Sequence, residues 1–121
     1  MRYESTLTIE AKTLAGVSFT IRRMSFARRL ELTRRVRELS QRLEFSAGGD
    51  DVKDRLDAAV LSAEIDRIYV EWGVCQIAGL ELDGEQASPA AALELAPEDF
   101  VREIVDAIKA ECSLSDEERK N

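Results

Sequence analysis

A pair of glycines limits the fold more than any other feature of this sequence. Downstream of Ser25 the apolar residues recur at helical steps, and the pattern breaks at Gly48-Gly49. Before the break, Phe26, Leu30, Val36, Leu39 and Leu43 step at three, four and seven residues, with Thr33 filling the gap. That spacing predicts a helix over 25–45 with one narrow apolar stripe and Ser25 as its N-cap. Glycines disfavour helical backbone, so "FSAGGDD" ends it. After the break a second helix is expected over 50–78, with Asp50 and Asp51 near its start, where acids suit the helix dipole. Leu56, Val60 and Ala63 share one of its faces, and Leu61, Ile65, Ile68, Trp72 and Cys75 another. So wide an apolar surface marks the central helix of the fold, with Gly73 as a kink or a stop.

The ends of the chain read differently. "YESTLTI" alternates, with Tyr3, Ser5, Leu7 and Ile9 on one side, and "GVSFTIR" alternates with Val17, Phe19 and Ile21 together. Two such runs around a turn ending in Gly16 predict a β-hairpin over 1–22, which must pack on something else to be stable. "GLELDGEQAS" predicts two short extended pieces over 79–87 about an Asp83-Gly84 turn, with too few carboxylates for a calcium loop. Ser88-Pro89 opens a short helix and Pro97 another, over 88–121. In the latter, Phe100, Val101, Ile104, Val105, Ile108 and Cys112 form a stripe, and Ser115 with Glu118 has capping-box spacing. The expected class is α+β, mostly α, in a single domain spanning 1–121: hairpin, two long helices, a short turn region and C-terminal helices.

Charge is divided along the chain. Residues 22–43 hold eight arginines against Glu31 and Glu38, whereas residues 44–121 hold twenty acids against seven bases. Glu31–Arg35, Arg34–Glu38 and Glu38–Arg42 are spaced as i,i+4 pairs worth about 0.2–0.5 kcal/mol each. An antiparallel second helix would bring Asp50, Asp51, Asp54 and Asp57 towards Arg37 and Arg42. Arg22, Arg23, Arg28 and Arg29 then remain for the chain's own acids or a partner, and arginine suits two-pronged pairing with carboxylates. A basic helix is also the footprint of nucleic-acid binding. The interleaved acids and net charge of −7 make that the alternative reading.

The chain has no histidine, which removes Ser-His-Asp, Cys-His and HExxH catalysis and the usual zinc ligand sets. Carboxylate pairs such as Glu64 with Asp66, or Asp116 with Glu117, read as solvated helix faces. No catalytic residue, metal or cofactor is therefore expected. Cys75 and Cys112 read as buried free thiols, since disulfides are rare in cytoplasmic proteins. "MRYESTLTIEAK" has no apolar core of a secretory signal, and charge interrupts every apolar run before membrane-spanning length. The expectation is a cytoplasmic protein.

"GVSFTIRRMSFARRLEL" leads from a strand into a helix, and a long helix carrying Trp72 follows. Then "GLELDGEQASPAAALELAPEDFVREIVDAIKAECSLSDEERKN" gives a Gly-Leu, an Asp-Gly turn, a proline-started helix and an acidic end. This order resembles the tail assembly chaperones of long-tailed bacteriophages. The resemblance implies a small, mostly helical, non-enzymatic protein of the bacterial host cytoplasm. Such a protein coats the tape-measure protein before the tail tube forms. The implied partners are the tape-measure protein, the tail tube protein, further copies of the chain and a frameshifted longer form of it. Lys120-Asn121 can be encoded by a run of A, and the chain then looks like the short form. A groove holding an amphipathic helix would draw on Tyr69, Trp72, Phe100 and Ile104, and Arg22, Arg23, Arg28 and Arg29 are further candidates for partner binding.

Overall fold

The computed structural model describes residues 1–120, with side chains described through Ser113. Asn121 and the side chains of the expected Ser115–Glu118 capping pair lie outside the described residues, and the backbone of α4 runs through 115 without a new helix start. The fold is α+β, in the order β1 (Thr6–Glu10), β2 (Ser18–Arg22), α1 (Phe26–Ala47), α2 (Val52–Gly73), β3 (Val74–Ala78), β4 (Glu81–Leu82), β5 (Glu85–Gln86), α3 (Pro89–Leu95) and α4 (Glu98–Lys120). The chain divides into two compact units. One comprises residues 1–24 and 69–121, and the other residues 25–68.

The first unit is a three-stranded antiparallel sheet, ordered β1-β2-β3, with α4 on one face. In the hairpin Leu7 pairs with Ile21 and Ile9 with Phe19. Period-2 alternation puts Val17, Phe19 and Ile21 on one face, where all three are buried. Phe100, Ile104, Val105 and Ile108 of α4 are buried as well. Phe100 meets Phe19 edge to face, with ring centroids 6.1 Å apart. The opposite face is polar: Thr8 and Thr20, cross-strand partners, join hydroxyls at 2.9 Å.

β3 corrects the expected helix over 50–78. The stretch Val74-Cys75-Gln76-Ile77-Ala78 is a strand, and it pairs with β2 through Phe19↔Ile77 and Ile21↔Val74. Its apolar residues continue the helical spacing of Ile68 and Trp72, so periodicity alone cannot separate the two states. The stop is Gly73: a Cβ there would stand 2.8 Å from Ile108 Cδ1. The end of α2 and α4 thus approach closely only without a side chain at 73. Between Thr20 and Ile21 the register slips, leaving Cys75 as the extra residue of a bulge. Cys75 is therefore exposed and Cys112 half-buried, against the expectation of two buried thiols.

The turn over residues 81–86 forms as expected, with Asp83 at φ 52° and Gly84 at φ 84°, the left-handed pair of a tight hairpin. Gln86 donates from Nε2 to the Ile77 carbonyl of β3 at 2.7 Å. Ser88 caps α3 by accepting from the Ala91 amide at 3.1 Å, with Pro89 at the first helical position.

The second unit holds α1 and most of α2. Ser25 caps α1, its hydroxyl accepting from the Arg28 amide at 3.3 Å. Asp51 does the same for α2, its carboxylate accepting from the Asp54 amide at 2.7 Å. The covered stripe of α1 is Leu32, Val36, Leu39 and Leu43, with Leu32 buried and the rest half-buried. Phe26 and Leu30, expected in that stripe, are 91% and 46% exposed. Helical geometry explains the correction. At about 100° per residue Leu30 lies roughly 160° and Phe26 roughly 120° round from Leu32.

Candidate functional site

The eight residues singled out from sequence separate into four groups. Trp72, Phe100 and Ile104 are core residues of the first unit, at most 4% exposed, so they do not line a groove. Phe100 and Ile104 belong to the α4 stripe that packs on the sheet, with Phe100 against Phe19 of the hairpin. Arg22 is used internally, its Nε donating to the Trp72 carbonyl at 3.0 Å and satisfying one orphan acceptor at the end of α2. The Arg23 guanidinium lies 5.8 Å from the centre of the Tyr3 ring, and Lys109 Nζ lies 5.6 Å from that of Tyr69. Arg28 and Arg29 are half-buried in the first turn of α1. With Trp72, Phe100 and Ile104 buried, the predicted groove of the first unit does not form.

A different set of residues is open to solvent on the second unit. Phe45 near the end of α1 is 88% exposed, and Val52, Leu56 and Val60 of α2 are 67%, 62% and 56% exposed. Leu56, Val60 and Ala63 were grouped on one face by spacing, and that face is bare. The covered line of α2 is the other one, with Leu61 buried and Ile65 and Ile68 half-buried. α2 is thus not wrapped on all sides, as its wide apolar surface suggested.

Between the two helices, close to the connecting turn, lies a cleft of about 660 Å³. Leu61 is in its floor and Phe45 and Val60 are in its walls, while Glu38 and Arg42 from α1 and Asp54, Asp57 and Glu64 from α2 supply charge. Arg42 thus shares the cleft with Asp54 and Asp57, but among the described residues it forms no ion pair with them, and Arg37, Asp50 and Asp51 are not in the lining. Within α1, Glu31–Arg35 closes at 3.6 Å, whereas no ion pair joins Glu38 to Arg34 or Arg42 among the described residues. Arg34, Glu38 and Arg42 are exposed to solvent, the last two at the rim of the cleft.

One carboxylate is anchored apart from this surface. Glu103 of α4 accepts from the Lys12 amide at 2.8 Å, the Thr13 amide at 3.2 Å and the Thr13 hydroxyl at 2.7 Å. Partial burial pushes its pKa up. The hydrogen bonds from Lys12 and Thr13 and the Lys12 charge pull it down, and they prevail, leaving it below the ordinary 4.5. The bond set ties the β1–β2 loop to α4 and is structural.

Among the described residues no group of three or more cysteines, aspartates and glutamates is placed to hold a metal ion, and no helix is long and apolar enough to cross a membrane. Comparison with protein-family models, curated proteins and solved structures gives no match. The functional reading therefore rests on this geometry and on the pattern of the sequence.

Proposed function

We propose that this chain is a non-enzymatic assembly chaperone of the phage-tail type, which holds a helical stretch of the tape-measure protein on its second unit. The observation that carries this reading is the cleft between α1 and α2, with Phe45 88% exposed at its edge. Large apolar side chains left bare beside a charged rim mark interaction surfaces. An amphipathic helix laid there would insert anchors at i, i+3, i+4 and i+7 beside Phe45 and Val60 and set its own charges against Arg42 and Asp57. The net charge of −7 keeps such a holder dispersed while its apolar side chains are exposed. Its setting is the host cytoplasm, with the tail tube protein and a frameshifted longer form as further partners.

The test is co-expression with the tape-measure protein of the genome that encodes this chain. The wild type is expected to keep that protein soluble and to co-purify with it in a fixed ratio. Phe45→Asp, at a position that adds little to the fold, is expected to abolish both effects. Failure of the wild type to co-purify refutes the reading. A second reading, nucleic-acid binding, draws on the exposure of Arg34, Arg35, Arg37 and Arg42 along α1. It predicts salt-dependent DNA binding whose slope falls when these residues are replaced by glutamate.

A further inference from the structure

α2 carries two seams with coiled-coil spacing, on opposite sides. Asp54, Ala58, Leu61, Ile65 and Ile68 form one, at steps of four and three, and all five are buried or half-buried. Val52, Leu56, Ala59 and Ala63 form the other, at the same steps, and all four are exposed. A seam spaced this way meets another helix by knobs-into-holes packing. We infer that the exposed seam is where a second copy of this chain docks, α2 against α2 in antiparallel orientation.

The residues of the seam specify that partner. A two-fold axis between Asp57 and Ala58 sets Val52 opposite Ala63 of the second copy and Leu56 opposite its Ala59. Each large side chain then meets a small one, the arrangement that lets facing layers interdigitate. Symmetry repeats each contact, as a two-fold interface requires. Charge agrees with this register. Lys53 and Glu64 both border the cleft, so they lie on the same flank of the seam. The axis brings Lys53 to within about two residues, or 3 Å along the helix, of Glu64 in the second copy, and the reverse pair forms likewise. Arg55, on the other flank, comes level with Val60 and near Ser62 and meets no like charge. Asp57 faces its own mate near the axis, but at the outer edge of the flank, where water and salt screen it.

Area sets the strength. The seam runs about 16 Å, three helical turns. With Val60 beside it, it offers a patch on the order of a few hundred Å², at the upper end for a monomer. Doubled, that falls short of the roughly 1,000 Å² a stable specific interface clears, the size of a weak, transient contact. The dimer is therefore reversible, with a Kd in the micromolar range or above. The inference needs no client, although Lys53, Val60 and Glu64 also line the cleft, so the dimer and a client share that edge.

Sedimentation velocity of the full chain across a concentration series tests it. The wild type is expected to pass reversibly from monomer to dimer. Leu56→Asp, at an exposed position, is expected to raise Kd by at least about thirtyfold, with helicity and Trp72 fluorescence unchanged. Lys53→Glu alone weakens the dimer, and Lys53→Glu with Glu64→Lys restores it. A chain that stays monomeric throughout, or a dimer indifferent to Leu56→Asp, overturns the inference. A dimer that Lys53→Glu weakens and the exchanged pair does not restore overturns the antiparallel register.

Discussion

Glu103 offers the sharpest test of how the first unit is held together. Its carboxylate takes three hydrogen bonds from residues 12 and 13, ninety positions away in sequence. Glu103→Gln preserves shape but replaces one acceptor oxygen with an NH₂ donor. If the amide oxygen stays on Thr13, the new donor faces the Lys12 amide, and a charge-assisted bond is lost with nothing to replace it. Bonds to charged groups contribute about 1.5–3 kcal/mol. Lys12 and Thr13 are exposed, so water recovers part of that, and the expected loss is about 1–2 kcal/mol. The pH dependence gives a second handle. Because the folded pKa lies below the ordinary 4.5, the contribution is complete above that value and is lost as pH falls through the folded pKa. Glutamine does not titrate, so the gap between wild type and variant should be full at neutral pH and close in acid. Trp72 is the sole tryptophan, lies in the first unit and is 4% exposed, so its fluorescence reports this unit in urea. With a slope on the order of 1–1.5 kcal/mol/M, the midpoint should drop by about 1 M at neutral pH. Equal midpoints at neutral pH, or a gap that persists unchanged in acid, would refute the reasoning.

Gly79→Ala should cost about 2–4 kcal/mol by thermal unfolding, since φ is +81° and a Cβ would run into the Gly16 carbonyl oxygen. Asp51→Ala removes the acceptor for the Asp54 amide and should lower the stability of α2 by about 0.5–2 kcal/mol, read as helicity by circular dichroism. Cys75, exposed at the bulge, should react with a thiol reagent in the native protein well before half-buried Cys112, as peptide mapping after a short pulse would show.

The elements with local chemical signals were legible in the sequence. Ser25, Ser88 and Asp83-Gly84 each stood at the position their backbone requires, and the alternation of Val17, Phe19 and Ile21 identified the buried face of β2. What sequence could not supply was the partner of each apolar residue. The stripe drawn through Phe26, Leu30, Thr33 and Val36 includes consecutive three-residue steps, which fall short of the helical period and drift off the face. The true line begins at Leu32. β3 was hidden because Val74 and Ile77 fit a helix as well as a strand, and only the pairing with β2, far away in sequence, decides between them. The same blindness placed Trp72, Phe100 and Ile104 in a groove, because a buried aromatic and a binding aromatic look alike until the surface they cover is known. The bare seam at Val52, Leu56, Ala59 and Ala63 did have a signal: a second four-three-four spacing two residues out of step with the first.

The pairing of β2 with both β1 and β3 has a consequence for synthesis on the ribosome. The hairpin emerges first, and by itself it is marginal, because its apolar face has no cover. Its third strand begins at Val74, and the ring that closes over Phe19 arrives at Phe100, roughly 80 residues after β2 is complete. At about 5–20 residues per second, Phe19 and Ile21 wait some 4–16 s for their partners. During that interval the α1–α2 segment leaves the exit tunnel complete, so the helices come before the sheet in the order of birth. The nascent chain thus passes through a stage with an unfinished sheet, the moment at which it is most open to wrong strand pairing and to capture by the cell's folding machinery.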